Sequence, residues 1–338
     1  MKQEKIFFGA IFLFMFISFA SANECPVNWQ TLHPEWIFCD DFENGNLARW
    51  DVTGVKNTIN SNSQNILDGN HSLQIMINTV GDGGDVMEEW FLPGYDEIYA
   101  RFYVKFQPGF QNLRSDGNGM HLFGIAGNMP YGNSGTVPTG FDRFTTAVDP
   151  DHTDGSGTLM PFTFYSYFPE MVGIWGNVFR QTTPQTPLVG GQWQLVEARV
   201  KVNTVEVNNI GLHDGLQELY INNTLKISVQ NMSWRNTTNL KLNVIVFIPY
   251  MPNTIGTQYI YVDNLVVSRS PIGPLASTSS IFPDVNSDGK VNIIDLVLVI
   301  RWQGKNNADI DWNNYKHLDV NSDNRTDISD ITAVMANL

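Results

Sequence analysis

The sequence predicts a mainly β chain: a large antiparallel sandwich of the jelly-roll class, followed by a small module built from a repeated loop–helix unit. Three observations carry that expectation. Apolar and polar residues alternate with period two through many short stretches, as half-buried strands require. Gly and Asn interrupt those stretches throughout, and none of them keeps a helical period or offers a crossover helix. Near the C-terminus an Asp/Asn-rich pattern occurs twice, each time followed by an apolar run.

The chain opens with Lys2 and Lys5, an almost wholly apolar run from Ile6 to Phe19, and Ala20-Ser21-Ala22. A basic start, a short apolar segment and a small-x-small site predict a signal peptide over residues 1–22, cleaved after Ala22. The apolar run is shorter than the roughly twenty residues a membrane helix needs, and no later stretch is a better candidate. The expectation is a secreted protein with no membrane span after cleavage. Cys25 and Cys39 are the only cysteines, and in an oxidising compartment a lone close pair is expected to form a disulfide. The formal charge of −14 argues against nucleic acid as a partner, because phosphate binding needs basic patches.

Residues 23–271 form the predicted sandwich. In Tyr99–Phe106 the alternation puts Tyr99, Arg101, Tyr103 and Lys105 on one face and Ala100, Phe102, Val104 and Phe106 on the other. Gln194–Val202 turns Val196, Ala198, Val200 and Val202 inward in the same way, and residues 219–221, 240–248 and 259–267 read as further strands. In Phe162–Phe168, Tyr165 and Tyr167 share a face with Thr163, and Phe162, Phe164 and Phe168 take the other. A Pro/Ser/Gly-rich linker is expected over 272–282.

The repeated pattern carries specific chemistry. Asp284, Asn286, Asp288, Asn292 and Asp295 place oxygen side chains at loop positions 1, 3, 5, 9 and 12, with Lys290 supplying a backbone carbonyl at position 7. Asp319, Asn321, Asp323, Asp327 and Asp330, with Arg325 at position 7, repeat that spacing. Ca²⁺ is a hard cation that takes six to eight oxygens, and such a loop delivers them from alternate positions. Gly289 occupies the sharp turn at position 6, and Asn324 replaces it in the second copy, where Asn is the next residue best able to enter the left-handed region. A lone Asp/Asn-rich segment would be read as a turn, but two tandem copies with apolar runs exclude that. Helices are expected over Asp295–Trp302 and Asp330–Asn337.

Position 12 is Asp where EF-hands carry Glu, and neither loop has an entering helix. Residues 283–338 therefore resemble a type I dockerin. The resemblance implies two bound Ca²⁺ ions and a cohesin domain of a scaffoldin or cell-surface protein as partner. It places the recognition residues at loop positions 10 and 11, Ile293-Ile294 and Ile328-Ser329, with Arg301 at position 18 of the first repeat. The equivalent of Arg301 is Ala336, so the halves do not match and docking in two orientations is not expected.

A second resemblance covers roughly residues 95–270. Phe42-Glu43-Asn44-Gly45 with Trp50 looks like the first strand of secreted sugar-acting jelly rolls. The segments Tyr103–Phe110, Gly119–Ile125, Gly191-Gln192-Trp193 with Glu197, Glu218–Asn222 and Asp263-Asn264 then follow in order. Together they are similar to the family 14 polysaccharide lyases, concanavalin-like jelly rolls acting on uronic-acid polymers. Their β-elimination needs a group that neutralises the C6 carboxylate, a base for the C5 proton and an acid for the leaving O4. The family carries a Tyr-x-Tyr pair, matched by Tyr165 and Tyr167, and an Arg on a neighbouring strand, matched by order along the chain by Arg143. Its Lys-Leu-Pro-Gly pattern stands here as His121-Leu122-Phe123-Gly124, which replaces a fixed cation by a group that can be neutral at pH 7.

The resemblance thus implies His121, Arg143, Tyr165 and Tyr167 as one reactive cluster. Arg101, Tyr103 and Lys105 share a face that either lines the same groove or faces solvent. The structural alternatives are packing for the tyrosines and an ion pair with Asp142 or Asp149 for Arg143. Two other functions use the same scaffold. A glycoside hydrolase would need paired carboxylates, for which Glu88-Glu89 is a weak candidate. A non-catalytic carbohydrate-binding module would keep aromatic platforms without a convergent His, Arg and Tyr cluster. Polysaccharide is the expected substrate or ligand in every case.

Overall fold

The computed structural model describes residues 23–338 except 82, 113–119, 129–132, 152–158, 252, 253, 255, 276–284, 287–290, 321–324 and 336–338, and leaves aside the side chains of Asn313 and Ala333. The predicted leader and five of the proposed calcium ligands (Asp284, Asp288, Lys290, Asn321 and Asp323) lie outside the described residues. Among the described residues no helix is long and apolar enough to cross a membrane.

A short helix α1 (Trp29–Leu32) precedes the strands. In chain order they are β1 (Trp36–Asp40), β2 (Val52–Thr53), β3 (Asn57–Asn60), β4 (Ser72–Ile77), β5 (Met87–Tyr95), β6 (Glu97–Phe106), β7 (Phe123–Gly127), β8 (Phe144–Pro150) and β9 (Phe162–Tyr167). There follow β10 (Asn177–Phe179), β11 (Gln194–Lys201), β12 (Val205–Glu206), β13 (Ile210–Gly211), β14 (Gly215–Ile221), β15 (Thr224–Met232), β16 (Leu242–Phe247) and β17 (Gln258–Ser268). Helices α2 (Ile293–Arg301) and α3 (Ile328–Met335) belong to the C-terminal module.

Two antiparallel sheets pack face to face. One runs β15-β14-β11-β6-β17-β4-β3 with β1 also on β17, and the other β10-β9-β8-β7-β16-β5-β2. The period-two patterns decide which face is buried. Ala100, Phe102, Val104 and Phe106 of β6 are fully buried, as are Val196, Ala198 and Val200 of the adjacent β11. From the second sheet Phe123, Phe144, Phe162, Phe164 and Phe247 enter the same core. Burying an aromatic side chain of this kind stabilises by about 2–3 kcal/mol, so the aromatic rows are what hold the sheets together. One polar link crosses the core: Thr146 and Ser166 both donate to Gln217 of β14, at 2.7 and 3.1 Å. That link fixes direction, because the odd-numbered neighbours on β8 and β9 must face away from the core.

Cys25 and Cys39 are joined in a disulfide that ties the N-terminal segment to β1. Beyond β17 the chain does not leave the sandwich at once. The backbone N–H groups of Ile272 and Gly273 donate to the two oxygens of Glu197, and that of Leu275 to the Tyr103 hydroxyl. The first residues of the expected linker are therefore strapped onto the eight-stranded sheet.

The C-terminal module has its own core of Val285, Val299, Leu318, Val320, Ile331 and Val334. Both helices start two residues earlier than expected, inside the loops. Asn292 caps α2, accepting from Ile294 N–H at 2.8 Å while Asp295 accepts from Asn292 N–H at 2.9 Å. In the second repeat the side chain of Asp327 accepts from Ser329 N–H at 2.8 Å in the same way. Loop position 9 is an N-cap in both repeats, so positions 10 and 11 are already helical.

Candidate active site

Register places the candidate residues. Tyr165 pairs with Ala147 and Tyr167 with Thr145, while Ala147 pairs with Gly124 and Thr145 with Ala126 on β7. Beyond β7 the rows continue through Val246 and Val244 of β16 to Glu88 and Trp90 of β5. Residues directly opposite one another point the same way. The outward face of the seven-stranded sheet thus has small side chains at its centre, with Trp90 and Glu88 on one side and the two tyrosines on the other.

At one end of this trough His121 precedes β7. Its ring stacks on Tyr165, with centroids 5.1 Å apart, and lies beside Tyr250 at 6.0 Å. His121 Nδ1 is 2.6 Å from Oδ2 of Asp149, whose Oδ1 accepts from Leu122 N–H at 2.8 Å. Asp149 is almost wholly buried, and the His121 side chain is 29% exposed. A carboxylate only accepts, so this contact assigns the proton to Nδ1 and leaves the lone pair on Nε2. No described residue bonds to that nitrogen.

The tyrosines continue the cluster. Their hydroxyl oxygens are 3.3 Å apart, and Tyr165 also accepts from Gly176 N–H at 3.1 Å. Gly176 must be glycine, because a Cβ there would come within 2.9 Å of the Tyr165 ring and 3.0 Å of the Tyr167 ring. Burial first, and the hydroxyl of Tyr167 second, push the Tyr165 phenol well above its ordinary pKa. Tyr165 therefore keeps its proton at any working pH. Gly176 donates to Tyr165, and an arrangement in which Tyr165 donates to Tyr167 would leave the Tyr167 proton free for substrate.

Arg143 lies at the Tyr167 end of the sheet face, away from His121, and its guanidinium is engaged elsewhere. It shares the outward face two residues, about 7 Å, along from Thr145, the partner of Tyr167, but lies about 20 Å along β8 from Asp149. Its guanidinium is buried against Asp142, the Thr136 carbonyl at 3.0 Å and the Thr136 hydroxyl at 2.6 Å. Chain order suggested that Arg143 would lie beside the tyrosines; register brings it near Tyr167 and leaves it a strand's length from His121. Arg101, Tyr103 and Lys105 are excluded from this face as well, since β6 lies in the other sheet. Arg101 is fully buried, paired with Glu24 and donating to the Asn264 carbonyl, Tyr103 holds the Leu275 N–H, and Lys105 donates to the Gln64 carbonyl. Glu88 and Glu89, as neighbours on a strand, point to opposite faces and cannot flank one glycosidic bond: Glu88 accepts from Trp90 Nε1 while Glu89 accepts from Asp51 N–H.

Asp149 and Tyr250 are site residues that sequence reasoning did not assign. Neither carried a sequence signal: Asp149, expected to begin a loop, reaches His121 through the pairing of β7 with β8, and Tyr250 through the turn after β16. In the C-terminal module Asp295 and Asp330 are fully buried and fold back onto their own loops. Asp295 accepts from Asn286 N–H at 3.2 Å, and Asp330 accepts from Val320 and Asp327 N–H, both at 2.7 Å. On α2 the side chains of Ile293, Ile294, Val297 and Ile300 are exposed, as is Arg301, which lies over the Trp302 ring. On α3 the exposed apolar residues are Ile328 and Met335, with Ser329 exposed beside them.

Comparison with known proteins separates the two parts. Residues 283–338 match the model of the dockerin type I domain, and type I dockerin domains bind calcium in general. A search of curated proteins finds no match. Among solved structures, the alginate lyase vAL-1 from a Chlorella virus aligns with a TM-score of 0.54 at 16% identity, covering 70% of this chain and 100% of that one. The alginate lyase Aly36B aligns with a TM-score of 0.53 at 16% identity, covering 70% and 98%. At such identity the likeness establishes the jelly-roll fold.

Proposed function

We propose that the chain is an extracellular enzyme that cleaves a uronic-acid polysaccharide by β-elimination and is held to a cohesin domain through its dockerin. One observation carries the catalytic part: His121, oriented by a buried aspartate, lies in one row with two hydroxyl-linked tyrosines on an outward sheet face. Both aligned structures are alginate lyases, which points to the same substrate class.

The polymer lies across the trough with one sugar over Tyr165. Asp149 holds His121 in the tautomer whose Nε2 accepts the C5 proton, and the same carboxylate stabilises the imidazolium that forms. The electron pair moves to form the C4–C5 double bond, and the C4–O4 bond breaks. Tyr167 donates its proton to the departing O4, with Tyr165 and Gly176 behind it in a hydrogen-bonded line. Tyr250 closes the other side of the imidazole.

The dockerin loops supply oxygen donors that fit two calcium ions. Asp284, Asn286, Asp288, Asn292 and Asp295 would hold one, with the Lys290 carbonyl. Asp319, Asn321, Asp323, Asp327 and Asp330 would hold the other, with the Arg325 carbonyl. Bound calcium offsets the mutual repulsion of the carboxylates and ties each loop to the helix it starts. Ile293, Ile294, Arg301, Ile328 and Ser329 form the cohesin-binding face.

The decisive experiment mixes the secreted protein with alginate, glucuronan and pectin and follows the ultraviolet absorbance of unsaturated chain ends. Growth of that absorbance on one of them is expected. New reducing ends without it would mean hydrolysis, and binding without cleavage would mean a carbohydrate-binding module.

A further inference from the structure

Among the described residues of the site so far, none meets the sugar carboxylate, since Arg143 is engaged elsewhere. The register of the edge strand supplies one. Val178 pairs with Tyr165 and Phe179 with the core-facing Phe164. Alternation then turns Arg180, the next residue, to the same outward face as Tyr165, level with Thr163. Thr163 in turn pairs with Asp149, the partner of His121.

The contacts agree with that placement. Arg180 Nε donates to Oδ2 of Asp151 at 2.6 Å. Asp151 lies two residues beyond Asp149, on the same face of the chain and about 7 Å along it. Two buried aspartates in succession thus hold two basic groups over one strip of sheet: Asp149 holds the imidazole and Asp151 the guanidinium. The Arg180 side chain is 43% exposed against 7% for Asp151, so the acid is the fixed end of the pair. Among the described residues only Nε is committed. The two terminal nitrogens of Arg180 have no hydrogen-bond partner among the described residues. Those are the nitrogens that form the planar fork by which a guanidinium grips a carboxylate with two parallel bonds.

We propose that Arg180 binds the carboxylate of the acidic sugar seated at or next to His121, and so selects uronic-acid over neutral polymers. The inference rests on the polysaccharide-acting reading of this face and adds the residue that recognises charge. The Asp151 contact fixes the plane of the guanidinium before substrate arrives, which reduces the ordering cost of binding. It also offsets part of the positive charge, so the grip is directional more than long-range.

The test compares wild type with Arg180→Gln and Arg180→Lys on whichever polyuronate wild type binds or cleaves, and on the same polymer with its carboxyl groups reduced to alcohols. Arg180→Gln is expected to weaken binding of the acidic polymer, or lower kcat/KM, by roughly 10–100-fold. Binding of the reduced polymer should not change. Arg180→Lys, which keeps the charge but not the fork, should recover only part of the loss. Thermal unfolding of Arg180→Gln is expected to fall, since the buried Asp151 loses its charged partner, so the ratio between the two polymers and not the absolute affinity is the readout. An Arg180→Gln protein that handles the acidic polymer like wild type, or loses both polymers equally, overturns the assignment. Binding without cleavage by wild type would defeat the elimination reading alone, with Arg180 still judged by the binding ratio. A wild type that binds no polyuronate defeats both.

Discussion

The outward faces of the two sheets read alike in sequence and are engaged differently by the rest of the chain. On the eight-stranded sheet Arg101, Tyr103, Lys105 and Glu197 are all consumed by structure. The N-terminal segment supplies Glu24 to Arg101, and the strap after β17 is held by Tyr103 and Glu197. On the seven-stranded sheet His121, Tyr165 and Tyr167 contact mainly one another and a single buried acid. A polar face that chain termini cross becomes a scaffold, and the proposed site lies on the other face. The difference lies in what covers the residues rather than in the residues themselves.

The largest effect should come from the open face. Tyr167→Phe removes the proton directed at O4 and should lower the elimination rate by roughly 10²–10⁴-fold. The hydroxyl is not in the core, so melting temperature and polymer binding should stay close to wild type. Loss of binding in parallel with rate would make Tyr167 a packing residue. On the covered face the signature should be reversed. Arg101→Ala leaves Glu24 uncompensated beside a buried cavity and should cost about 3–5 kcal/mol in denaturant unfolding. Specific activity per folded molecule should be unchanged, and a selective rise in KM would mean that this face also meets substrate.

The two dockerin repeats extend the comparison. Among the described residues four large apolar side chains are exposed on α2 and two on α3, so the repeats offer unequal faces. Substituting Asp for both Ile293 and Ile294 should weaken cohesin binding in calcium about tenfold more than Asp at Ile328 and Ser329. EGTA should abolish binding outright. Equal losses from the two double substitutions would indicate two docking orientations.

A smaller effect should appear with pH. Burial first, and the nearby Asp51 second, raise Glu89 to about 7 from an ordinary value of 4.5. The folded state then holds this proton more tightly than the unfolded chain does. The stability it contributes is complete below about pH 4.5 and is lost as pH rises through about 7. Unfolding temperature should therefore decline between pH 5 and 8, and Glu89→Gln should flatten that decline. An equally steep decline in the variant would assign it to other groups, such as Asp40, which burial raises to about 6.

Alternation and loop spacing made the sandwich, the inward faces of β6 and β11 and the dockerin legible from the amino-acid sequence alone. Those features follow from local geometry: side chains alternate along a strand, and a calcium loop draws its ligands from one short segment. The same parity placed Tyr165 and Tyr167 together before any coordinates. Local rules could not tell which sheet a strand would join, so Arg101, Tyr103 and Lys105 remained candidates until β6 was seen between β11 and β17. Nor could they measure distance along β8, which places Asp149 beside His121 and Arg143 at the far end. The partnership of Arg180 with Asp151 spans strands β8 to β10 and has no trace in spacing. Such pairings come from register between segments distant in the chain, and only packing the two sheets against a shared aromatic core sets that register.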